Sequence, residues 1–245
     1  MPDARQHPSQ LQSVWRRVDR IFCISLEERA DRRRAAENQF ARAGLEGMVT
    51  FLTVRRHPEN SEQGIFESHR ACLAMGLEAG ARHMLVFEDD VVFGRIDVRR
   101  LAAAIDYFMA HEECTMLLLG GMVSRSLPTE HPAVRKVRYR CLAHAYLVKA
   151  DLAQKVAGQV WRGVPIDTLL KGGTDGHAAL YPSIAFQSNS PTDNHRHRTL
   201  DGVRRLFGGL RVIQLVNERY HRFRYAVIAV HLLLAAAVIL WIAVR

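Results

Sequence analysis

The sequence predicts an α/β domain with a mainly parallel central sheet, and two observations carry this prediction. Short apolar runs typical of buried strands alternate with longer amphipathic segments typical of helices, which is the pattern of a parallel sheet covered by helices. One run, residues 84–87, is wholly apolar, as strands buried on both faces are, and three acidic residues follow it at once. Since such sheets bind ligands at the carboxyl ends of their strands, the acidic residues lie where a site is expected.

The elements follow in order along the chain. Strands are predicted at residues 21–26, 51–54, 84–87, 116–119, 134–139, 143–148 and 180–187. Helices are predicted from the charged stretch after the first strand to Gly44, and at residues 66–79, 98–111 and 150–157. Residues 1–18 are polar and are expected to form a loose leader or a short helix packed on the domain.

Composition narrows the class of protein. Hydrophobic residues make up 48% of the 245, which excludes a disordered chain and suits one full-sized domain. The formal net charge of +9 indicates an anionic partner, but no nucleic-acid-binding signature accompanies it, so we expect no nucleic acid partner. The four scattered cysteines form no CxxC pair and predict buried free thiols in a reducing compartment.

The C-terminal segment is a candidate membrane anchor. Residues 225–244 carry no formal charge, and such a segment, at about 1.5 Å per residue, crosses a hydrocarbon core of roughly 30 Å. Arg219, Arg222 and Arg224 precede it, which favours lipid headgroups as the anionic partner. These arginines, and an N-terminus without an apolar signal stretch, predict a single-pass anchor with the main domain in the cytoplasm. A buried core helix or a partner helix is the alternative.

The chain is therefore expected to contain a leader (1–19), a main domain (20–198), a basic amphipathic segment (199–224) and a transmembrane helix (225–244). The basic segment is expected either to lie among lipid headgroups or to pack on the domain as an amphipathic helix.

Glu88, Asp89 and Asp90 form a candidate metal site. Three carboxylates at the end of a buried strand are costly unless a cation neutralises them, and oxygen ligands suit Mg²⁺ or Mn²⁺. The cation would bridge the cluster and a diphosphate, and so assist the departure of a nucleoside diphosphate. If the strand continued, Glu88 and Asp90 would face one side and Asp89 the other. A solvated loop is the alternative for a run of three acids.

Further motifs lie on both sides of the acidic cluster. They are, in order, Ile24-Ser25-Leu26 with Arg29, Arg32 and Arg33; Gly64-Ile65-Phe66-Glu67-Ser68-His69; Val86 to Val91; His144-Ala145-Tyr146-Leu147; Pro165-Ile166-Asp167; Tyr181-Pro182; Gln187; and Thr192-Asp193. This order resembles glycosyltransferase family 25, the lipopolysaccharide-biosynthesis and procollagen galactosyltransferase group. The resemblance implies a GT-A-like fold, a UDP-sugar donor, a divalent metal and an inverting transfer. Ser25 and Ile65 depart from it, since the family usually has asparagine and cysteine there.

Candidate roles follow for the residues around the donor. Glu88 and Asp90 are the expected metal ligands, with Asp89 at the metal and diphosphate. Arg29, Arg32 and Arg33 follow the first strand, where guanidinium groups clamp phosphate, although a solvated helix start explains them as well. Ser68 and His69 are expected to face the donor from their helix, the alternative for His69 being a structural role.

Two further roles are assigned outside the acidic strand. An inverting transfer needs a base for the acceptor hydroxyl, and Asp167 and Asp175 are the candidates because they lie in the loop-rich region after the core strands. His195 or His197 could supply an imidazole ligand to the metal, or belong to a basic membrane-facing loop.

With these residues, the resemblance implies a metal-dependent transferase that moves a hexose, glucose or galactose, from a UDP-sugar to an envelope glycan or lipopolysaccharide-type acceptor. The anchor favours a glycan or lipid-linked acceptor held at the same membrane. Two alternatives stay open: a nucleotidyltransferase, which would release pyrophosphate, and a catalytically inactive, membrane-tethered scaffold. No Ser-His-Asp order, P-loop or GxGxxG element supports a hydrolase, a kinase or a dehydrogenase.

Overall fold

A computed structural model describes residues 8–172, 176–189 and 208–243. The strands are β1 (Arg20–Leu26), β2 (Thr50–Val54), β3 (His83–Glu88), β4 (Val91–Phe93), β5 (Met116–Leu118), β6 (Met122–Pro128), β7 (Val134–Cys141), β8 (Ala145–Lys149), β9 (His177–Leu180) and β10 (Ala185–Gln187). The helices are α1 (Pro8–Trp15), α2 (Ala30–Arg42), α3 (Ser61–Glu78), α4 (Val98–Ala110), α5 (Ala150–Ala157), α6 (Ile166–Leu170) and α7 (Gly209–Ala243).

The central sheet has eight strands in the order β2-β1-β3-β8-β5-β9-β7-β6, and β4 and β10 form a separate two-stranded ribbon. β7 and β8 run opposite to the other six strands. Successive side chains of β3 alternate between two apolar layers: Leu85 and Phe87 pack with α1, α2 and α4, and Met84 and Val86 pack with α3 and α5. The predicted α/β class with a mainly parallel central sheet is confirmed.

Local capping decides where α3 begins. The Asn60 side chain accepts hydrogen bonds from the backbone N–H groups of Glu62 and Gln63, so the helix starts at Ser61, earlier than the predicted residue 66. The extra turn belongs to the wall of the cavity described below, because Ser61 and Gly64 line it.

Two strand predictions were wrong in detail. Residues 180–187 form two strands in different sheets, since β9 ends at Leu180 and β10 begins at Ala185, and Pro182 between them has no N–H for a ladder. β3 ends at Glu88, so Asp89 and Asp90 lie in a turn and the alternation expected of a longer strand does not arise. β4 and β6 had no predicted counterpart.

α1 packs into the core, as one of the two expectations for residues 1–18 stated. Trp15 is fully buried, and its indole N–H donates to the Ala43 carbonyl at 2.9 Å. We expect Trp15→Ala to lower the free energy of unfolding by about 3–5 kcal/mol, since it leaves a large cavity and an unpaired carbonyl. Urea unfolding would measure this, with Trp15→Phe, which keeps most of the volume, as the milder control. A loss below about 1 kcal/mol in both would place α1 outside the cooperative fold.

α7 is, within the described ranges, the helix long and apolar enough to cross a bilayer by length and composition. Its first turns pack on the domain. For residues 209–224 this is the second of the two arrangements expected for the basic segment. From Tyr225 onward its large apolar side chains are exposed.

Candidate active site

A cavity of about 280 Å³ opens at the carboxyl ends of β1 and β3. Parallel pairing sets Ile24 beside Glu88, and the Asp89 N–H donates to the Ile24 carbonyl, so the acidic turn lies next to the end of β1. The cavity brings together seven of the predicted site residues, namely Arg32, Ser68, His69, Glu88, Asp89, Asp90 and Asp167.

A chain of hydrogen bonds positions Glu88. His69 is buried on α3, with its Nε2 3.2 Å from Glu88 Oε1 and its Nδ1 2.9 Å from the Tyr146 hydroxyl. Burial raises the pKa of the Glu88 carboxyl, but the hydrogen bond from His69 and the charges of His69, His144 and Arg32 together outweigh burial, so the pKa lies below its ordinary value. An ionised Glu88 accepts from Nε2–H, which leaves Nδ1 to accept from the Tyr146 hydroxyl. Tyr146 and His69 thus hold Glu88 in place as an anion.

Asp89 is tied to the end of β1 and the start of α2. The Ser25 hydroxyl donates to Asp89 Oδ2 at 2.6 Å, and Arg32 Nη1 lies 3.5 Å from Asp89 Oδ1. Burial raises the pKa of Asp89, against the opposing effects of Ser25 and Arg32. With both oxygens engaged, Asp89 holds the acidic turn against β1 and brings Arg32 to the cavity.

Asp90 is a buried carboxylate whose charge the described residues compensate only in part. Its Oδ1 is enclosed and, among the described residues, has no hydrogen-bond partner. Burial and the charge of Glu88 raise the pKa of Asp90 to about 8. The neighbouring Gln187 donates from Nε2 to Glu88 Oε2 at 3.3 Å, while its Oε1 is likewise enclosed without a described partner.

These oxygens fit a divalent cation. Glu88 and Asp90 supply carboxylates, and the unpartnered oxygens of Asp90 and Gln187 are the hard ligands that Mg²⁺ and Mn²⁺ prefer. Over the ranges that the structure describes, no three His, Cys, Asp or Glu side chains form a ready-made metal cluster. The arrangement therefore suits a cation that arrives with further oxygen ligands, such as those of a diphosphate.

Asp167 lines the same cavity as the acidic turn and lies in the first turn of α6. The Tyr139 hydroxyl donates to its Oδ1, and the Leu142 N–H donates to its Oδ2 at 3.4 Å. Burial raises the pKa of Asp167 above its ordinary value, against the hydrogen bond from Tyr139. Leu142 adopts a φ of +74°, which is unusual for a branched side chain, and it too lines the cavity. A carboxyl whose pKa is raised in this way is a stronger base than an ordinary aspartate.

The structure separates other predicted residues from the cavity. Arg29 forms an ion pair with Asp31 at 2.9 Å on the surface, and Arg33 donates to the carbonyls of Leu26 and Glu27. Neither lines the cavity, so of the three predicted clamp arginines Arg32 alone does. Ser68 borders the cavity, but its hydroxyl donates to the Gly64 carbonyl at 2.6 Å, within its own helix.

Asp175, His195 and His197 lie outside the described residues, and their predicted roles stay predictions. Thr192 and Asp193 of the motif series lie there too.

Several residues in or next to the cavity were not assigned to the site from the sequence. Gln187 appeared among the motifs without a role. Tyr139, which contacts the cavity residue Asp167, carried no signal because the two are distant in sequence. Arg55, Arg56 and His57 also line the cavity. Their signal would have been their position directly after β2, at the same edge of the sheet as Ser25 and Glu88.

Similarity to known proteins is found in structure and not in sequence. No family model and no curated protein matches the sequence. The structure of A197 from STIV is similar with a TM-score of 0.46 and 16% identity over 69% of this chain and 85% of that one. UTP-bound UGPase from Acinetobacter baumannii gives 0.44 and 11% over 73% and 76%. A glycosyltransferase involved in glycosylation of the major capsid of PBCV-1 gives 0.35 and 10% over 56% and 63%. At this level of similarity none of them assigns an activity to the chain.

Proposed function

We propose that this protein is a metal-dependent, membrane-anchored glycosyltransferase of the family 25 type, which transfers glucose or galactose from a UDP-sugar to a membrane-associated envelope glycan. The observation that carries the proposal is the pair of enclosed, unpartnered oxygens of Asp90 and Gln187 beside an ionised Glu88, at the carboxyl ends of the sheet. The two carboxylates of such a set are stable as anions when the site holds a cation and a diphosphate.

Each of these cavity residues has its own role in the proposed reaction. Glu88 and Asp90 would hold the cation, which when bound offsets the negative charge of the departing UDP. Arg32, already paired with Asp89, adds a fixed positive charge on the same side. Asp167 takes the proton of the acceptor hydroxyl. At the same time the hydroxyl oxygen bonds to the anomeric carbon and the bond between that carbon and UDP breaks.

The membrane part of the proposal rests on α7. An 18-residue stretch of this helix has a mean hydropathy of 2.7, and none of its residues is buried in the protein. Arg219, Arg222 and Arg224 precede the apolar part, which supports an orientation with the domain on the cytoplasmic side.

Titration calorimetry of the full-length protein in detergent tests the donor site. We expect UDP, UDP-glucose or UDP-galactose to bind with Mn²⁺ and much more weakly without it. Asp90→Asn is expected to reduce the Mn²⁺-dependent affinity by at least about tenfold, because a metal ligand is lost. Asp31→Asn, which removes a carboxylate outside the cavity, is the matched control and should bind as the wild type does.

Two other results, one from calorimetry and one from an assay of pyrophosphate release, would decide against the proposal. If no nucleotide binds under any condition, the protein is better described as an inactive scaffold. If UTP and a sugar 1-phosphate yield pyrophosphate, it is a nucleotidyltransferase.

A further inference from the structure

α7 joins the cavity directly to the proposed membrane span. Leu210, in its first turn, lines the cavity. A Cβ on Gly209 would lie 1.7 Å from Asn189 Oδ1, so the start of the helix is in close contact with the loop after β10. Between residues 210 and 243 the helix contains neither proline nor glycine, the usual causes of a kink. The span is therefore a direct continuation of a cavity element.

Polar contacts fix the first turns of α7 on the domain. Gln214 Nε2 donates to the Ala185 carbonyl at 3.0 Å. The Asn217 side chain accepts from the Val123 N–H and donates to the Val123 carbonyl, both at 3.0 Å, and so pairs with the edge strand β6 as another strand would. These contacts join the helix to both the ribbon and the central sheet.

Two more contacts continue this docking face towards the span. Glu218 Oε2 accepts from the Ser183 N–H at 2.9 Å, and the Arg222 guanidinium lies 4.8 Å from the centre of the Tyr181 ring. Residues 214, 217, 218 and 222 recur at three- and four-residue intervals, which places them along one side of the helix. The direction of α7 relative to the cavity is thereby set over about three turns.

The helix geometry gives the height of the cavity above the bilayer. From Leu210 at the cavity to Tyr225 at the start of the span, a rise of 1.5 Å per residue amounts to about 22 Å. A tilt of about 20°, the average for spanning helices, shortens this distance by less than ~10%. A hydroxyl at the lipid headgroup itself would lie well below the cavity.

We propose that α7 is a rigid pedestal that holds the cavity about 20 Å above the hydrocarbon core, roughly 15 Å above the headgroups, and that the acceptor is a lipid-linked oligosaccharide of several sugar units whose distal hydroxyl reaches this height. This inference rests on the proposed glycosyltransferase function and adds the size class of its acceptor to it. A lipid carrying a single sugar is excluded by the same distance.

The height can be measured without knowing the acceptor. The full-length protein, with Cys141→Ser and a short-range fluorescent donor on Ile65→Cys at the cavity rim, is reconstituted in phosphatidylcholine–phosphatidylglycerol vesicles that contain a headgroup-labelled lipid. We expect a closest approach of about 15 Å, since the headgroup layer takes up roughly 5–7 Å of the height above the hydrocarbon core. Insertion of seven helix-forming residues after Arg224 should increase it by about 10 Å, and two turns keep the helix in phase. The same seven residues inserted after Arg162, in the exposed loop before α6, are the control and should change nothing. A closest approach near zero, or no increase with the insertion, would overturn the pedestal.

A transfer assay tests the acceptor class. Membranes from the expressing cells are incubated with UDP-[¹⁴C]glucose or UDP-[¹⁴C]galactose, and label is expected in lipid-linked glycans of several sugars. The insertion after Arg224 should lower this transfer at least tenfold and leave hydrolysis of the UDP-sugar unchanged. Equal transfer by the insertion variant, or label confined to lipids with one sugar, would contradict the inference alone. Absence of both hydrolysis and UDP binding in the wild type would instead contradict the proposed function.

Discussion

Asp167→Asn is expected to lower the rate of UDP release from the UDP-sugar by about 10²–10⁴-fold while leaving the affinity for UDP unchanged. The substitution keeps the size of the side chain and one of the two oxygens that accept from Tyr139 and Leu142, but it removes the carboxylate that takes the proton. A coupled assay of UDP release, with water or a membrane glycan as acceptor, would measure the rate, and calorimetry the affinity.

The pH profile separates a base from a structural carboxyl. Because burial raises the pKa of Asp167, the rate should fall with decreasing pH at a higher pH than for an ordinary aspartate, since only the ionised form acts as a base. Tyr139→Phe removes a hydrogen bond that lowers this pKa, so it should move the acidic limb further up in pH. If Asp167→Asn kept more than half the rate, or if the profile did not move in Tyr139→Phe, another residue would be the base.

Asp90→Asn is expected to stabilise the metal-free protein at alkaline pH although it removes a proposed metal ligand. The pKa of Asp90 is about 8 in the folded chain against 3.8 ordinarily, so between these values the folded state binds more protons than the unfolded state. The free energy of unfolding therefore falls as pH rises through this window and levels off above the folded pKa. Because asparagine carries no charge, the free energy of unfolding of the variant does not fall in this way.

The measurement is the thermal midpoint with and without the substitution. Burial lowers the pKa of four buried or partly buried histidines, which makes stability rise with pH up to about their ordinary value of 6.5; they are His83, His144, His177 and His221. We therefore compare about pH 7 with about pH 8.5, where the wild type should lose about 1 kcal/mol more than the variant. Mn²⁺ with UDP should raise the midpoint of the wild type and not of Asp90→Asn. Equal pH dependence of the two proteins would show that Asp90 is ionised without a cation.

Much of the local structure followed from the sequence alone. The apolar runs at residues 21–26 and 84–87 predicted β1 and β3, because buried strands need apolar side chains on both faces. The acidic residues after β3 were expected at a ligand site because parallel sheets bind ligands at the carboxyl ends of their strands, and the cavity lies there. Capping also belongs to this class, since Asp97 accepts from two N–H groups at the start of α4, which begins at the predicted residue 98.

Contacts between distant segments could not be predicted in this way. Arg29, Arg32 and Arg33 are chemically equivalent in the sequence, but the direction in which α2 leaves β1 brings only Arg32 to Asp89. Gln187 reaches Glu88 because β10 pairs with β4 immediately after the acidic turn, across 99 residues of chain. Which side chains share the cavity was thus decided by packing.

The sequence by itself determined the α/β class, the acidic strand end and the apolar C-terminal helix, because each depends on the order of apolar and charged residues within a few turns or one strand. The tertiary structure decided the rest: the pairing of His69 with both Tyr146 and Glu88, the only partly compensated Asp90, and the docking of α7 beside the cavity. These features depend on the free energy of burying polar groups together, which is fixed only when the strands and helices have packed.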